Sequence, residues 1–326
     1  MMNVLGSIFS ILVLTQQECR AEGDSFDIHE VKILKSPVTC SSDIRLVIVI
    51  HSHPEHSELR NTLRQTWAQE TQNTRRIFVV GNIDSTITRD VINRESENIG
   101  DIVQGDFVDS YRNMTYKHLL GYRWITQHCS DASYVLKSDD DQFVDTLQLG
   151  RYLSTFLPSP GTSWYLCQVL SSSPHRDPGS KWAVTREEWP GEVYPEYCAG
   201  WAYVTTLYTL ARVLDQSTRM RYFWIDDIHV TGVVREAMKG DILLYNWVNS
   251  FLTSHIQYSS EILGGSFYTP ELMVCGDIKA EEIKRVWGKA VKCQKQDCYS
   301  MVYDNKENRE SVMPVVHESG RNKEEL

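Results

Sequence analysis

Leu46-Val47-Ile48-Val49-Ile50, Ser52-His53-Pro54 and Glu58-Leu59-Arg60-Asn61-Thr62-Leu63-Arg64-Gln65-Thr66-Trp67 set the fold class of this 326-residue chain. Five consecutive apolar residues, most of them β-branched, describe a strand buried on both faces. The turn residues end it, and Leu59, Leu63 and Trp67 then recur at helical spacing. The rhythm repeats outward. Ile77 to Val80 reads as a second buried strand, Val91 to Ile99 as a weak helix, Ile102-Val103 as a short strand, and Tyr116 to Ile125 as a helix ending near His128-Cys129. Tyr134 to Leu136 follows as a strand. A βαβαβ succession implies a mostly parallel sheet with right-handed crossovers, hence an α/β, Rossmann-like architecture flanked by helices. Further on, Leu147 to Phe156 reads as a helix, Trp164 to Leu170 as a strand, Ala202 to Leu214 as a strand running into a helix, Asp226 to Met238 as a helix and Leu243 to Tyr245 as a short strand. Ser171 to Tyr197, rich in Pro, Gly, Trp and charge, reads as an excursion facing a substrate.

The strand Tyr134-Val135-Leu136-Lys137-Ser138 runs into Asp139-Asp140-Asp141. Ligands of open α/β sheets gather outside the carboxyl ends of the strands, so this is the candidate metal site. Extended backbone alternates its side chains, which puts Asp139 and Asp141 on one side and Asp140 on the other. Two converging carboxylates suit a hard dication, Mn²⁺ or Mg²⁺, completed by water and phosphate oxygens, and so predict a phosphate-bearing donor. A solvated acidic loop is the plainer alternative.

Lys+Arg at 33 against Asp+Glu at 43 give a formal charge of −10, with no basic cluster interleaved with aromatics, which excludes nucleic acid as a partner. Eight scattered cysteines lack metal spacing and point to disulfides in an oxidising compartment. Val4 to Leu14 is apolar but shorter than the ~20 residues of a usual membrane span. Residues 1–28 are therefore expected to be a signal-like segment or short membrane anchor with a stem, so that membrane association runs through the N-terminus. Residues 29–303 form the α/β domain, and 304–326 a charged, disordered tail. Asn113-Met114-Thr115 is an N-glycosylation sequon, with Asn113 as the acceptor.

Phe223-Trp224-Ile225-Asp226-Asp227-Ile228 places two acids at the entry to an amphipathic helix. Such acids commonly cap the helix. Alternatively, one is a general base that takes the proton of an acceptor hydroxyl.

Together these segments resemble the β1,3-glycosyltransferase family of β1,3-galactosyltransferases and β1,3-N-acetylglucosaminyltransferases, over roughly Leu46 to Gly240. The resemblance rests on Arg60 to Trp67, Phe78-Val79-Val80-Gly81, Gly100 to Lys117, Lys137-Ser138-Asp139-Asp140-Asp141, Tyr194 to Tyr203 and Asp226-Asp227-Ile228, in that order. It implies a GT-A fold that binds a UDP-sugar, with Mn²⁺ held against the diphosphate by Asp139 and Asp141. It further implies Asp227 as the base of an inverting transfer to a glycan on protein or lipid, forming a β1,3 linkage in the Golgi lumen. Arg60, Arg64, Lys117, Lys137, Asp139 and Asp140 are the candidate donor contacts. Trp182, Tyr197, Gly200, Trp201 and Asp226 are the candidate substrate contacts. For Arg60 and Arg64 a solvated basic face is the competing reading, for Trp201 a buried aromatic beside Tyr203. A catalytically silent lumenal relative and a calcium-binding adhesion module are the alternatives; the retained triad and Asp227 weigh against the first, the arginine helix against the second.

Overall fold

The computed structural model describes residues 27–156, 159–246, 251–252, 274–298 and 315–316. In chain order the elements are β1 (Ile33–Lys35), β2 (Leu46–His51), α1 (Ser57–Gln65), β3 (Thr74–Asn82), α2 (Thr86–Asn98), β4 (Ile102–Val108), α3 (Met114–His128), β5 (Tyr134–Asp139), β6 (Phe143–Val144), α4 (Thr146–Phe156), β7 (Trp164–Leu170), β8 (Tyr197–Thr206) and α5 (Leu207–Ser217). A π-helical stretch, Ile228–Val233, then runs into α6 (Val234–Ala237), followed by β9 (Leu243–Asn246), β10 (Phe251–Leu252), β11 (Val274–Cys275), α7 (Ala280–Lys295) and β12 (Val315–Val316). The main sheet has the order β1-β4-β3-β2-β5-β8-β7-β9-β12, and β10-β11-β6 make a small second sheet.

The parallel block expected from the βαβ rhythm is β4-β3-β2-β5, with β2 at its centre between β3 and β5. Beyond β5 the sheet turns antiparallel through β8 and β7, because β5 leads through the short β6, α4 and β7 into β8, which returns along it. Alternation on the central strands splits the core in two. Ile48, Ile50, Phe78, Val80 and Leu136 pack with Leu63 and Trp67 near α1, Leu149 of α4 and Ile283 and Val286 of α7. Val47, Val49, Ile77, Val79 and Val135 pack on the opposite face with Leu119, Leu120 and Tyr122 of α3 and Leu210 and Val213 of α5. Helix α3 lies close to the sheet at Gly121, where a Cβ would stand 2.9 Å from Val49 Cγ2.

β1, the second sheet and α7 are additional to the elements expected from the sequence. The N-terminal segment lies outside the described residues, as does most of 304–326. Within that expected tail, Val315 and Val316 pair antiparallel with Asn246 and Tyr245, so these two residues belong to the sheet edge.

Disulfides join Cys40 to Cys129, Cys167 to Cys198 and Cys293 to Cys298, and Cys275 is a buried free thiol. The first ties the lead-in to β2 to the end of α3 across 89 residues. Cross-links of this kind typically contribute about 2–4 kcal/mol each by restricting the unfolded chain. Reductant is therefore expected to lower the denaturation midpoint strongly. Thiol counting under denaturing conditions checks the premise, and eight free thiols in protein secreted from eukaryotic cells would refute it.

Candidate active site

A cleft of about 730 Å³ opens at the carboxyl ends of β2 and β5. It is lined by the aspartate triad, by Lys117 and Lys137, by Asp226 and Asp227 and by the aromatics Tyr111, Trp182, Trp201 and Trp224. β5 ends at Asp139, and Asp140 and Asp141 lie in the turn that follows. Simple strand alternation therefore stops at Asp139, and the three carboxylates meet different partners. Asp140 is buried and turns to the loop after β2, where Ser52 Oγ donates to its Oδ2 at 2.7 Å and His56 Nδ1 lies 3.0 Å away. Asp139 keeps 32% of its side chain open and accepts from Lys137 Nζ at 2.7 Å. Asp141 Oδ1 accepts from Gln142 Nε2 at 2.6 Å, and its carbonyl accepts from Ile278 N at 3.0 Å.

Burial pushes the Asp139 carboxyl up to about 7, with Asp141 and Asp226 adding repulsion against the pull of Lys137. Burial also raises Asp141, and the neighbouring Asp140 and Asp277 add to it. Two partly buried carboxylates, each held above its ordinary range, mark a place short of positive charge. Hard oxygen donors in that state fit a Mg²⁺- or Mn²⁺-like dication.

On the other side of the cleft, Asp227 caps the π-helical stretch. Its Oδ1 accepts from Ile228 N at 2.8 Å and its Oδ2 from Gly200 N at 3.1 Å. The approach is close, and a Cβ at Gly200 would lie 3.1 Å from Asp227 Oδ2, a tight contact. π-Helical turns are rare and are frequently found at functional sites. Burial, reinforced by the charge of Asp226, raises the Asp227 carboxyl to about 7. Burial acts on Asp226 in the same sense, but the hydrogen bond from His118 and the charge of Lys137 outweigh it and hold that carboxyl low. The capping role therefore falls to Asp227, and Asp226 bonds instead to His118 Nδ1 at 2.7 Å. Neighbouring acids driven apart in this way acquire different chemical roles: one stays a fixed charge and the other is able to exchange a proton near neutrality.

Lys137, Lys117, Asp139, Asp140, Asp141, Asp226, Asp227, Gly200, Trp182 and Trp201 are thus brought together in one cleft. Lys117 is buried and donates to Ser52 O and Asp109 Oδ1, each at 2.8 Å. Trp182 is 44% exposed at the cleft wall. Trp201 follows Gly200 and also lines the cleft, which favours the substrate-facing reading over a wholly buried aromatic. Tyr197 is buried, bonds to Ser172 Oγ through its hydroxyl at 2.9 Å and packs with Tyr194, Phe223 and Ile228, so it supports the wall from behind and does not line it.

Arg60 and Arg64 are the clear departures. Arg60 is fully buried and clamps Glu95 through Nε and Nη2 at 2.9 and 2.7 Å. It also donates to Ser52 Oγ, His53 O and Pro54 O. Arg64 binds Asp101 through Nε and Nη2 at 2.9 and 2.8 Å and reaches Glu95 at 2.6 Å. Neither lines the cleft. With every nearby carboxylate claimed, the helix face is neither solvated nor turned to a nucleotide; Arg60 braces Ser52, and Ser52 braces Asp140. Trp67 acts alike, its Nε1 donating to Gln142 O at 2.9 Å beside Asp141. Arg60→Lys is expected to cost roughly 1–3 kcal/mol, because one ammonium keeps the charge but loses the planar fork that serves Glu95, Ser52 and the loop carbonyls. Urea denaturation measures this, and near-wild-type stability would contradict it.

The sequon residues are engaged in the fold as well. Asn113 Nδ2 donates to Val108 O at 2.9 Å, and Thr115 is fully buried with its hydroxyl on Phe223 O.

Several residues of the site escaped the sequence reading. His51, Ser52 and His56 could have been found, because a polar run follows the first core strand where ligands gather. His118 carried no local signal, being one position inside the apolar helix α3. Trp224, 5% exposed with Arg112 Cζ 4.3 Å above its ring, is likewise visible only in the fold.

Among the described residues, no helix is long and apolar enough to cross a membrane. Similarity to known proteins agrees with the geometry. Beta-1,3-galactosyltransferase 1 of Mus musculus is 30% identical over 209 residues, covering 63% of this chain and 64% of that protein. The acetylgalactosaminyl-O-glycosyl-glycoprotein beta-1,3-N-acetylglucosaminyltransferase of Mus musculus is 31% identical over 215 residues, covering 62% and 54%. Beta-1,3-galactosyltransferase 5 of Gorilla gorilla gorilla is 31% identical over 210 residues, covering 63% and 69%. The chain thus spans a little under two thirds of the first of these relatives. The galactosyltransferase family model matches residues 58–243, more than half of the chain, and runs from α1 through both carboxylate clusters to β9. This chain belongs to the galactosyltransferase family.

Proposed function

We propose that the protein is an inverting glycosyltransferase of GT-A type. It moves a hexose or N-acetylhexosamine from a UDP-sugar to a hydroxyl of an acceptor glycan and forms a β1,3 linkage. The observation that carries this reading is the pairing, in one cleft, of the Asp139–Asp141 turn with an Asp227 carboxyl raised to about 7. Asp227 takes the proton from the acceptor hydroxyl as its oxygen bonds to the anomeric carbon. The bond from that carbon to the diphosphate breaks in the same displacement, and UDP departs with its electron pair. A diphosphate leaving group needs neutralisation of charge more than a proton, so no second carboxylic acid is required. Asp139 and Asp141 would hold Mn²⁺, or Mg²⁺, which when bound would supply Lewis-acid neutralisation of the diphosphate. Lys117 and Lys137 place two buried ammonium groups along the same floor. Trp182 and Trp201 offer apolar faces to the sugars.

The acceptor is a glycan on protein or lipid, and the compartment is the Golgi lumen, with attachment to the membrane through the N-terminal segment. Three disulfides support an oxidising compartment. The deciding experiment screens UDP-Gal, UDP-GlcNAc and UDP-GalNAc with and without Mn²⁺ against a panel of glycan acceptors, and reads the product linkage by NMR. Cation-dependent transfer from one donor is expected. No turnover of any of the three donors in the presence of the cation would sink the reading.

A further inference from the structure

Helix α3 carries His118 beneath the site, where it is fully buried and does not line the cleft. Both of its ring nitrogens are engaged. Nδ1 lies 2.7 Å from Asp226 Oδ2, and Nε2 meets the Tyr203 hydroxyl in a short contact, with Tyr122 bonded in turn to Tyr203. Burial favours the neutral imidazole, while Asp226 is held ionised. An ionised carboxylate only accepts, so Nδ1 carries the proton. Nε2 then accepts from Tyr203, and Tyr203 accepts from Tyr122. The chain of hydrogen bonds has one direction, and it ends on Asp226, the residue before the proposed base.

Asp226 has a competing attraction. The Lys137 ammonium donates to Asp139 Oδ1 and to the Gly200 carbonyl, and the charge of Asp226 also acts on it. Gly200 in turn presents its N–H to Asp227 Oδ2. A freed Asp226 carboxylate would draw Lys137 away from Gly200, and Gly200 is one of the two donors, with Ile228, that hold Asp227.

We propose that His118 is a positioning residue for the transfer: its Nδ1–H anchors Asp226, which leaves Lys137 on Asp139 and Gly200 and so keeps Asp227 aimed. This rests on the glycosyltransferase reading above. His51, His118 and Asp226 also have donor atoms within 4.8 Å of one another, a spacing compatible with a metal ion. With both His118 nitrogens bonded and Lys137 supplying the positive charge, hydrogen bonding accounts better for the arrangement.

Two near-isosteric substitutions separate the functions of the ring. In His118→Asn the amide nitrogen takes the place of Nδ1 and keeps the bond to Asp226. In His118→Gln the amide reaches the place of Nε2 and keeps only the bond to Tyr203. Each loses one of the two hydrogen bonds, so similar drops in Tm are expected. Turnover should split: His118→Asn stays within about fivefold of wild type in kcat, whereas His118→Gln falls by roughly 10–100-fold, with donor and acceptor KM little changed, as expected of a misaimed catalytic group. Equal losses of kcat in the two variants, tracking Tm, would make His118 merely structural and overturn the proposal while leaving the function standing. A wild-type protein with no transferase activity would overturn both. Should either variant fail to fold, ¹⁵N-histidine NMR of the full wild-type chain still decides: the Nδ1–H tautomer supports the proposal and the Nε2–H tautomer refutes it. One equivalent of Zn²⁺ bound by the wild type and lost in both variants would refute it in favour of a metal site.

Discussion

Asp227→Asn is expected to lower kcat by roughly 10²–10⁴-fold, the usual contribution of a positioned general base. Affinity for UDP and Mn²⁺ should be nearly unchanged, because the proposed ligands of the metal sit on a different element, the turn after β5. The amide is isosteric and can still accept from Gly200 N and Ile228 N through its oxygen, so the helix cap survives. What disappears is the site for the proton. The same assignment fixes a pH dependence. Asp227 acts only when ionised, and its carboxyl is raised to about 7 by burial and by Asp226, so wild-type kcat should fall as pH drops below about 7. The residual rate of Asp227→Asn should lack that limb. Asp226→Asn removes a charge but leaves the base in place, and its loss of rate should be smaller. If Asp226→Asn were nearly inactive and Asp227→Asn nearly normal, the base would move by one residue. Two active variants would remove this helix from the mechanism.

Asp141→Ala is expected to reduce transfer to background at limiting Mn²⁺ without unfolding the domain. The substitution removes one of two carboxylates proposed to hold the cation, whereas the backbone bond from Ile278 N to Asp141 O does not need the side chain. Stability should not fall, and the sign follows from linkage. A carboxyl raised on folding contributes stability that is fully present below its unfolded value and is lost as pH rises through its folded value. Asp141 is raised, chiefly by burial, with repulsion from Asp140 and Asp277, so its ionised form carries a cost in the folded state. Alanine relieves it. Metal-dependent thermal shifts and turnover, measured side by side across Mn²⁺ concentration, test both halves. Near-normal turnover of Asp141→Ala at limiting Mn²⁺ would show the metal site to be misplaced.

The sequence by itself determined the parallel block of the sheet and the positions of the two acid clusters. Runs such as Leu46 to Ile50 are apolar at every position, and only burial on both faces gives such residues water-free contacts. Strand ends collect ligands, so Asp139 to Asp141 could be placed before any contact was known. Only the tertiary structure decided what the charged residues do. Arg60 and Arg64 have helical spacing that suits a nucleotide face as well as a buried network. Glu95 and Asp101, 35 and 37 residues further on, settle the matter by filling every guanidinium. In the same way Asp226 and Asp227 are indistinguishable as neighbours in sequence. Their roles diverge because His118, 108 residues away from Asp226, reaches one carboxylate, while Gly200, 27 residues away from Asp227, reaches the other. Local pattern reports which side chains leave water, since that depends on period. The partner met by a buried charge depends on chain segments that are distant in sequence, and in a desolvated site that partner sets the protonation state.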